Sequence, residues 1–241
     1  RQSMPIYFLD DDSLTFPPVT HTHNGLLAVG GDLSPGRLLA AYQKGIFPWY
    51  SDGEPILWWS PDVRMVLFPE NFHLSRSLRR FCRATPFSFR MDTAFRQTIS
   101  YCAGAERSGE NGTWIHPEMI EAYCTLHEMG FAHSVECYRN GSLVGGLYGI
   151  NLGSAFFGES MFSLEKNASK FALAVLSAQC RLWGFKFIDC QMYTPHLASL
   201  GAVEMTKAKF LKILKEALKE KNRKGKWIAD EQIILQEILN P

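Results

Sequence analysis

The sequence predicts an α+β fold in which a small N-terminal unit precedes a larger unit built on an antiparallel sheet. From residue 113 onward the apolar periodicity runs helix, strand, strand, strand, helix, strand, helix. Asn140-Gly141 and residues 151–153 are turn signals that separate the three consecutive strands as hairpins. Seven prolines interrupt residues 1–65, which excludes long helices there. We therefore predict two units, residues 1–65 and residues 66–241.

One helix is predicted in the N-terminal unit, over residues 34–44. Ser34 has the side chain of an N-cap, and Pro35 fits the first helical position because no partner is needed there for its missing N–H. Gly45 follows as a stop signal. The elements expected after it are a strand over 65–68, helices over 75–83, 92–103 and 117–129, strands over 132–138, 143–150 and 154–157, a helix over 167–183 capped by Asn167, a strand over 185–191, and a last helix over 206–220 that ends the compact part.

Composition favours an ordinary globular protein. Hydrophobic residues make up 46% and charged residues 20% of the chain, which excludes a disordered tail, a collagen-like repeat and a long coiled coil. No apolar run is long enough for a membrane helix, and the first residues lack a secretory pattern. The six cysteines form no CxxC pair, and His21-Thr22-His23 stands without other metal-ligand residues nearby. We expect reduced thiols, no metal site and a cytoplasmic protein.

The first candidate for chemistry is Asp189 with Gln191 on the strand predicted over 185–191. Side chains alternate along a strand, so these two share one face and Cys190 lies on the other. A hydrogen bond from the Gln191 amide to the Asp189 carboxylate polarises the amide, whose oxygen then accepts a proton from an amine more readily. The alternative is that both side chains only satisfy backbone groups at the end of the strand.

The second candidate is Glu159, which stands between Phe156-Phe157 and Met161-Phe162. A carboxylate in such apolar surroundings is unusual and predicts a site that receives a cation. The alternative is an ordinary salt bridge with Lys166 or Lys170. Gly158, directly before Glu159, lets another backbone approach closely.

The third candidate is a basic stripe on the helix predicted over 75–83. Its four arginines recur at helical spacing without an acidic partner among them. They are Arg76, Arg79, Arg80 and Arg83. Phosphates of a nucleic acid would neutralise them and give a salt-dependent affinity, and the alternative is a solvated surface. The lysines within 206–226 are more typical of a solubilising face.

Several long and unusual motifs run in order through most of the chain, and together they resemble the leucyl/phenylalanyl-tRNA–protein transferase family. They are GLLAVGGDL at 25–33, AYQKGIFPW at 41–49, WWSP at 58–61, GTWI at 112–115, GESMFS at 158–163, IDCQ at 188–191 and SLGA at 199–202.

The resemblance implies a small N-terminal α/β domain followed by an acetyltransferase-like (GNAT-like) catalytic domain. It implies an enzyme that transfers Leu, Phe or Met from aminoacyl-tRNA to proteins whose N-terminal residue is Arg or Lys. The modified proteins are then marked for degradation by the N-degron pathway. The family uses neither coenzyme A nor a metal, so no cofactor is expected.

The resemblance also implies roles for individual residues. Asp189 orients and polarises Gln191, whose oxygen accepts from the attacking amine, and Glu159 holds the cationic end of the acceptor protein. The apolar aminoacyl pocket is implied at Leu147, Phe156, Leu173, Leu176 and Ile188. Aromatic side chains flank the 3′-terminal adenosine, and these are Tyr42, Trp49, Trp114 and Tyr123. The four arginines of the basic stripe contact the tRNA acceptor stem.

This chain departs from the family at two pocket positions. Related sequences often carry Met in place of Leu147 and Phe in place of Leu176, which bears on the order of preference among Leu, Phe and Met. Two other functions remain as alternatives. One is a non-catalytic tRNA-binding module, and the other is a small-molecule acyltransferase that uses coenzyme A. The segment 163–168 lacks the glycines of an anion-binding loop, which disfavours coenzyme A.

Overall fold

A computed structural model describes residues 6–84, 87–105 and 115–241 of the chain. The described strands are β1 Tyr7–Leu9, β2 Leu26–Gly30, β3 Phe47–Pro48, β4 Leu57–Trp59, β5 Val63–Leu67, β6 Ser88–Met91, β7 Ala132–Arg139, β8 Ser142–Leu152, β9 Ala155–Ser163, β10 Phe187–Gln191 and β11 Val203–Thr206. The described α-helices are α1 Pro35–Gln43, α2 Arg76–Arg83, α3 Phe95–Gly104, α4 Pro117–Glu128, α5 Ala168–Trp183, α6 Pro195–Ser199, α7 Lys207–Ala217 and α8 Glu231–Leu239.

The N-terminal unit is a small sheet with the strand order β1-β2-β4-β3, beside which α1 is packed. The helix begins where the sequence predicts, since the Ser34 side chain accepts a hydrogen bond from the Arg37 N–H and Pro35 occupies the first turn. Trp58 and Tyr42 are buried in the same apolar cluster as α4 and the larger sheet. The small sheet is therefore joined to the rest of the protein through a shared core.

The larger sheet has the strand order β11-β5-β10-β9-β8-β7-β6. Its described strand pairs are antiparallel except for β9 with β10, which are parallel. Asn140 and Gly141 both have positive φ angles, +50° and +80°, as a tight turn between β7 and β8 requires. The predicted α+β class is confirmed, and the central parallel pair of the larger sheet is the feature that positions the site.

Helices cover both faces of the larger sheet, and successive residues of its strands alternate between the two apolar layers. On β10, Phe187 belongs to the layer of α3, α4 and α7, whereas Ile188 belongs to the layer of α2, α5 and α8. The described residues contain no helix that is both long and apolar enough to span a bilayer. All six cysteines are free thiols, as predicted, and only Cys190 among them is partly exposed.

The prediction that the compact part ends near residue 220 was wrong. Trp227, Ile234 and Ile238 are buried, and α8 packs against α5. The strands β6 and β11 and the helix α6 were also missed, because elements of four or five residues show too little periodicity to be recognised.

Two element ends also differ from the prediction. The strand expected over 154–157 continues to Ser163, since a register shift near Gly158 breaks the alternation without ending the strand. Asn167 precedes α5 with a φ of +68°, but its side chain makes no capping bond. The first strand of the larger sheet begins at Val63, and the division into residues 1–65 and 66–241 stays a prediction.

Candidate active site

The site is a cavity at the point where the two parallel strands separate. Residues 155–157 of β9 pair with residues 187–189 of β10, after which β9 continues along β8 alone. A Cβ atom placed on Gly158 would lie 3.2 Å from the Asp189 carbonyl oxygen, so glycine allows the close approach just before the strands part. Beyond that point a cavity of about 490 Å³ opens between β8, β9, β10, α5 and α6.

One end of the cavity is apolar and preformed. All five residues expected in the aminoacyl pocket line it and are buried, namely Leu147, Phe156, Leu173, Leu176 and Ile188. They come from four elements, β8, β9, α5 and β10, and they belong to the same apolar layer. Such a pocket binds an apolar group mainly by removing its surface from water.

The other end of the cavity carries Glu159. Its Oε1 atom accepts a hydrogen bond from the Tyr42 hydroxyl at 2.5 Å and from the Gln191 side-chain Nε2 at 3.0 Å. Its Oε2 atom is buried and has no hydrogen-bond partner within residues 6–84, 87–105 and 115–241. Among the described residues no cation pairs with this carboxylate, so the alternative of a salt bridge with Lys166 or Lys170 was wrong. An unpaired buried carboxylate that faces a cavity is suited to receive a positive group from outside.

Burial raises the pKa of the Glu159 carboxyl to about 8, against the opposing effect of the hydrogen bond from Tyr42. Burial, followed by the charge of Glu159, also raises the pKa of Tyr42 well above its ordinary value. Tyr42 therefore remains a protonated donor. At neutral pH and without a bound cation Glu159 also carries its proton, and a cation bound beside it would lower its pKa and favour the carboxylate.

Asp189 is not where the proposed polarisation of the amide requires it. Its carboxylate is held by the Arg64 guanidinium, with Nε to Oδ1 at 3.0 Å and Nη2 to Oδ2 at 2.7 Å. Oδ1 also accepts the backbone N–H of Gln191 at 2.9 Å. The expected side-chain hydrogen bond between Asp189 and Gln191 is thus replaced by a bond to the backbone. Glu159 takes the position that sequence reasoning gave to Asp189 as the partner of the amide.

The reason for this difference is a bulge in β10. The register with β5 shifts between Asp189 and Gln191. Gln191 has a φ of +64°, a backbone conformation that residues other than Gly seldom adopt. Cys190 packs on the α5 side of the sheet while Asp189 contacts Arg64 on the α7 side, so the expected alternation of those two residues holds. Arg64 was missed by sequence reasoning, and the available signal was a single arginine inside the apolar strand Val63–Leu67.

The aromatic residues expected around a terminal adenosine are found in different places. Trp49 lines the cavity. Tyr42 and Tyr123 are buried, with their hydroxyl oxygens 2.5 Å apart. Neither ring is among the residues that line the cavity, and the Tyr42 hydroxyl connects Tyr123 to Glu159 through hydrogen bonds. Their contact with a terminal adenosine stays a prediction. Trp114 lies outside the described residues.

Three exposed residues at the mouth of the cavity were not anticipated from the sequence. Met192, Tyr193 and Thr194 follow directly after β10 and line the cavity. Nothing in their spacing marks them, because their position depends on the bulge that ends β10.

The arginine stripe is formed as expected on α2, with Ser75 as its N-cap. Arg76, Arg80 and Arg83 are exposed, and no acidic residue of the described chain pairs with them. Arg79 differs, because its guanidinium donates a hydrogen bond to the Leu239 carbonyl oxygen at the end of α8. Arg79 therefore anchors the C-terminal helix, and the exposed basic surface consists of the other three arginines.

The basic surface is connected to the cavity through α6. The backbone N–H of His73, just before α2, donates to the Leu200 carbonyl oxygen at 2.9 Å, directly after α6. His196 and Leu197 of α6 line the cavity. A ligand bound along the exposed arginines thus lies on an element joined to the cavity wall. Within the described residues no cluster of metal-ligating side chains is present.

An apolar pocket with a buried carboxyl group in its wall, placed where two parallel strands of a mixed sheet separate, is typical of a protein of the acyl-transferring class. A family model described as leucyl/phenylalanyl-tRNA protein transferase matches residues 66–215, and one for the N-terminal domain of the same family matches residues 31–62. This chain belongs to the leucyl/phenylalanyl-tRNA protein transferase family.

Full-length relatives support the same assignment. The leucyl/phenylalanyl-tRNA–protein transferase of Myxococcus xanthus strain DK1622 is 54% identical over 226 residues, which cover 93% of this chain and 97% of the relative. That of Desulfatibacillum aliphaticivorans is 52% identical, covering 95% and 98%. Among solved structures, that of L-PGS from Bacillus licheniformis aligns with 88% of this chain and 71% of its own length, at 12% identity and a TM-score of 0.38, and the family assignment does not depend on it.

Proposed function

We propose that this protein is an aminoacyltransferase that moves Leu, Phe or Met from aminoacyl-tRNA to the α-amino group of proteins beginning with Arg or Lys. The observation that carries the proposal is the cavity, because its apolar end suits the aminoacyl side chain and its other end presents the unpaired Glu159 carboxylate. The aminoacyl group presents an apolar side chain, and the acceptor protein presents a cationic N-terminal residue. The two ends of the cavity suit these two demands separately.

The reaction is the aminolysis of an ester. The acceptor nitrogen attacks the carbonyl carbon of the aminoacyl group, an N–C bond forms, and the 3′ oxygen of the tRNA leaves. Because the ester is already activated, the protein has to hold two substrates in line and assist one proton transfer, so positioning accounts for much of the rate. This chemistry needs neither coenzyme A nor a metal.

Gln191 is the group that aligns the amine. Its Nε2 donates to Glu159, which leaves its Oε1 to accept an N–H of the attacking amine. An amide is a very poor base, so we assign Gln191 to orienting the neutral amine, with a tRNA hydroxyl or water completing the proton transfer. Glu159 holds the cationic end of the acceptor, and Asp189 acts on Gln191 through its backbone N–H.

The tRNA is proposed to contact the exposed arginines of α2 through its phosphates. Phosphate contacts position a nucleic acid without reading its bases, which suits an enzyme that accepts several different tRNAs. Trp49 is placed to stack on the terminal adenosine. The reaction belongs to the bacterial N-degron pathway in the cytoplasm, where free thiols persist.

The test is transfer of radiolabelled Leu from charged tRNA to a protein with an N-terminal Arg, with and without coenzyme A. The matched control is the same protein with an N-terminal Gly. We expect label on the Arg protein alone, independent of coenzyme A. Binding of the tRNA without any transfer would favour the alternative of a non-catalytic tRNA-binding module, and dependence on coenzyme A would favour a small-molecule acyltransferase.

Two arginines of the same helix are expected to behave differently when replaced. Arg80→Ala should weaken tRNA binding and reduce the slope of log affinity against log salt by about one, because one phosphate contact is lost. Arg79→Ala should leave that slope unchanged and lower the free energy of unfolding by about 1–3 kcal/mol, because its partner is the Leu239 carbonyl. Filter binding over a salt series and chemical denaturation measure the two effects, and equal slopes for both variants would contradict this division of roles.

A further inference from the structure

Arg64 is a fully buried cation with polar contacts to Asp189 and to the backbone of the N-terminal unit. Its side chain is 1% exposed. Besides the paired bonds to Asp189, its Nη1 donates to the Gly45 carbonyl oxygen at 2.7 Å. Its guanidinium also lies over the rings of Phe47, at 4.9 Å, and Phe210, at 4.3 Å. Contacts on both sides and along its edge leave this group a single orientation.

The orientation of Arg64 passes directly to Gln191. Arg64 fixes both oxygens of Asp189, and one of them accepts the backbone N–H of Gln191 at 2.9 Å. That hydrogen bond holds the residue at the bulge, where its φ is +64°. A left-handed conformation of a residue other than Gly costs free energy and persists only where its surroundings impose it. The Gln191 side chain projects from this bulge and donates a hydrogen bond to Glu159.

Arg64 also decides which carboxylate of the site remains available. Asp189 and Glu159 both line the cavity, but the charge of Asp189 is neutralised by a buried guanidinium with two hydrogen bonds. Glu159 has no such cation among the described residues and keeps a free oxygen. An incoming ammonium group is therefore directed to Glu159 and not to Asp189.

We propose that Arg64 is a positioning residue of the aminoacyl transfer, which holds the Gln191 bulge through Asp189 and ties it to the N-terminal unit through the Gly45 carbonyl. The proposal rests on the proposed function of the site. Many buried ion pairs can be replaced by apolar residues of similar volume without loss of stability. The proposal therefore gives the pair of Arg64 with Asp189 a role in positioning Gln191 besides any role in stability.

The experiment compares Arg64→Lys, Arg64→Met and the double variant Arg64→Met/Asp189→Leu with the parent enzyme. Arg96→Lys is the matched control, because Arg96 also makes two hydrogen bonds to one carboxylate, that of Glu121, on the exposed surface. The measurements are kcat and KM for aminoacyl-tRNA, thermal stability, and hydrogen exchange of the Gln191 backbone N–H. Lysine keeps the charge but cannot reproduce the paired geometry.

For Arg64→Lys we expect kcat to fall by about 100-fold, as a misplaced reacting group does, with KM for aminoacyl-tRNA unchanged and faster exchange of the Gln191 amide. The double variant should regain the stability that Arg64→Met loses, yet its kcat should stay low. Arg96→Lys should match the parent in every measurement.

Recovery of kcat together with stability in the double variant would show that the pair is only structural and would overturn the proposal. Unchanged Gln191 exchange in Arg64→Lys would overturn it as well. If the parent enzyme itself transfers no aminoacyl group, the proposed function fails, and the exchange measurement still decides whether Arg64 holds the bulge.

Discussion

Replacing Glu159 by glutamine is expected to lower kcat/KM for the acceptor protein while making the folded protein more resistant to alkaline pH. The loss of activity follows because the unpaired carboxylate is the group placed to receive the acceptor cation. Removing one member of a buried charged contact costs about 2–5 kcal/mol, or roughly 30- to 4000-fold. Transfer of label to a protein with N-terminal Arg, measured over a range of acceptor concentrations, gives this ratio.

The stability effect has the opposite sign, because the pKa of Glu159 in the folded protein is about 8 against an ordinary value of 4.5. Between those two values the folded state binds the proton that the unfolded state has released, so the free energy of unfolding falls as the pH rises. Above pH 8 both states are ionised and the penalty is complete. The glutamine variant has no proton to lose, and at pH 9 it should be more stable than the parent by up to about 5 kcal/mol.

Chemical denaturation at pH 4.5, 6, 7.5 and 9 measures this effect without interference from substrate. The pH dependence of activity is less informative, because an α-amino group of an acceptor titrates near pH 8 as well. Glu204→Gln is a suitable control, since Glu204 is exposed on β11 of the same sheet. If the free energy of unfolding changes with pH in the same way in the parent and in Glu159→Gln, the pKa of Glu159 is not raised in the folded protein.

The second large effect is expected from Leu176→Phe, which should shift the preference for the aminoacyl group from Phe toward Leu. Leu176 is 1% exposed on α5 and lines the apolar end of the cavity. A phenyl ring there occupies space that the larger substrate side chain needs. A change of this size in an apolar pocket is worth about 1–3 kcal/mol, or roughly 10- to 200-fold in the ratio of kcat/KM values.

Competition between Phe-tRNA and Leu-tRNA, each carrying a different label, measures the ratio in a single reaction. Leu182→Phe introduces the same change on α5 at a position that is 44% exposed, and it should leave the ratio unchanged. A ratio that is the same in Leu176→Phe and in the parent enzyme would mean that the aminoacyl side chain does not bind against α5.

Local patterns predicted much of what surrounds the site. The pairing of Asn140 with Gly141 marks a turn that only residues tolerant of positive φ form, and the structure has that turn. The motif at 188–191 was assigned to a strand, which the structure has as the end of β10. The motif at 158–163 was placed after a strand, and the structure continues β9 through it. The five apolar pocket residues implied by the resemblance come together because they belong to elements whose buried faces meet in one layer.

The sequence alone determined the class of fold, the helix that begins after Ser34 and the strand that carries Asp189, because these depend on periodicity and on residues close along the chain. Only the tertiary structure decided that Arg64 holds Asp189 from 125 residues away and that Glu159 is the partner of Gln191. A bulge of one residue redirects a side chain, and no pattern of alternation contains it. Hydrogen-bond partners depend on which distant elements pack together, so they became known only when the chain was folded.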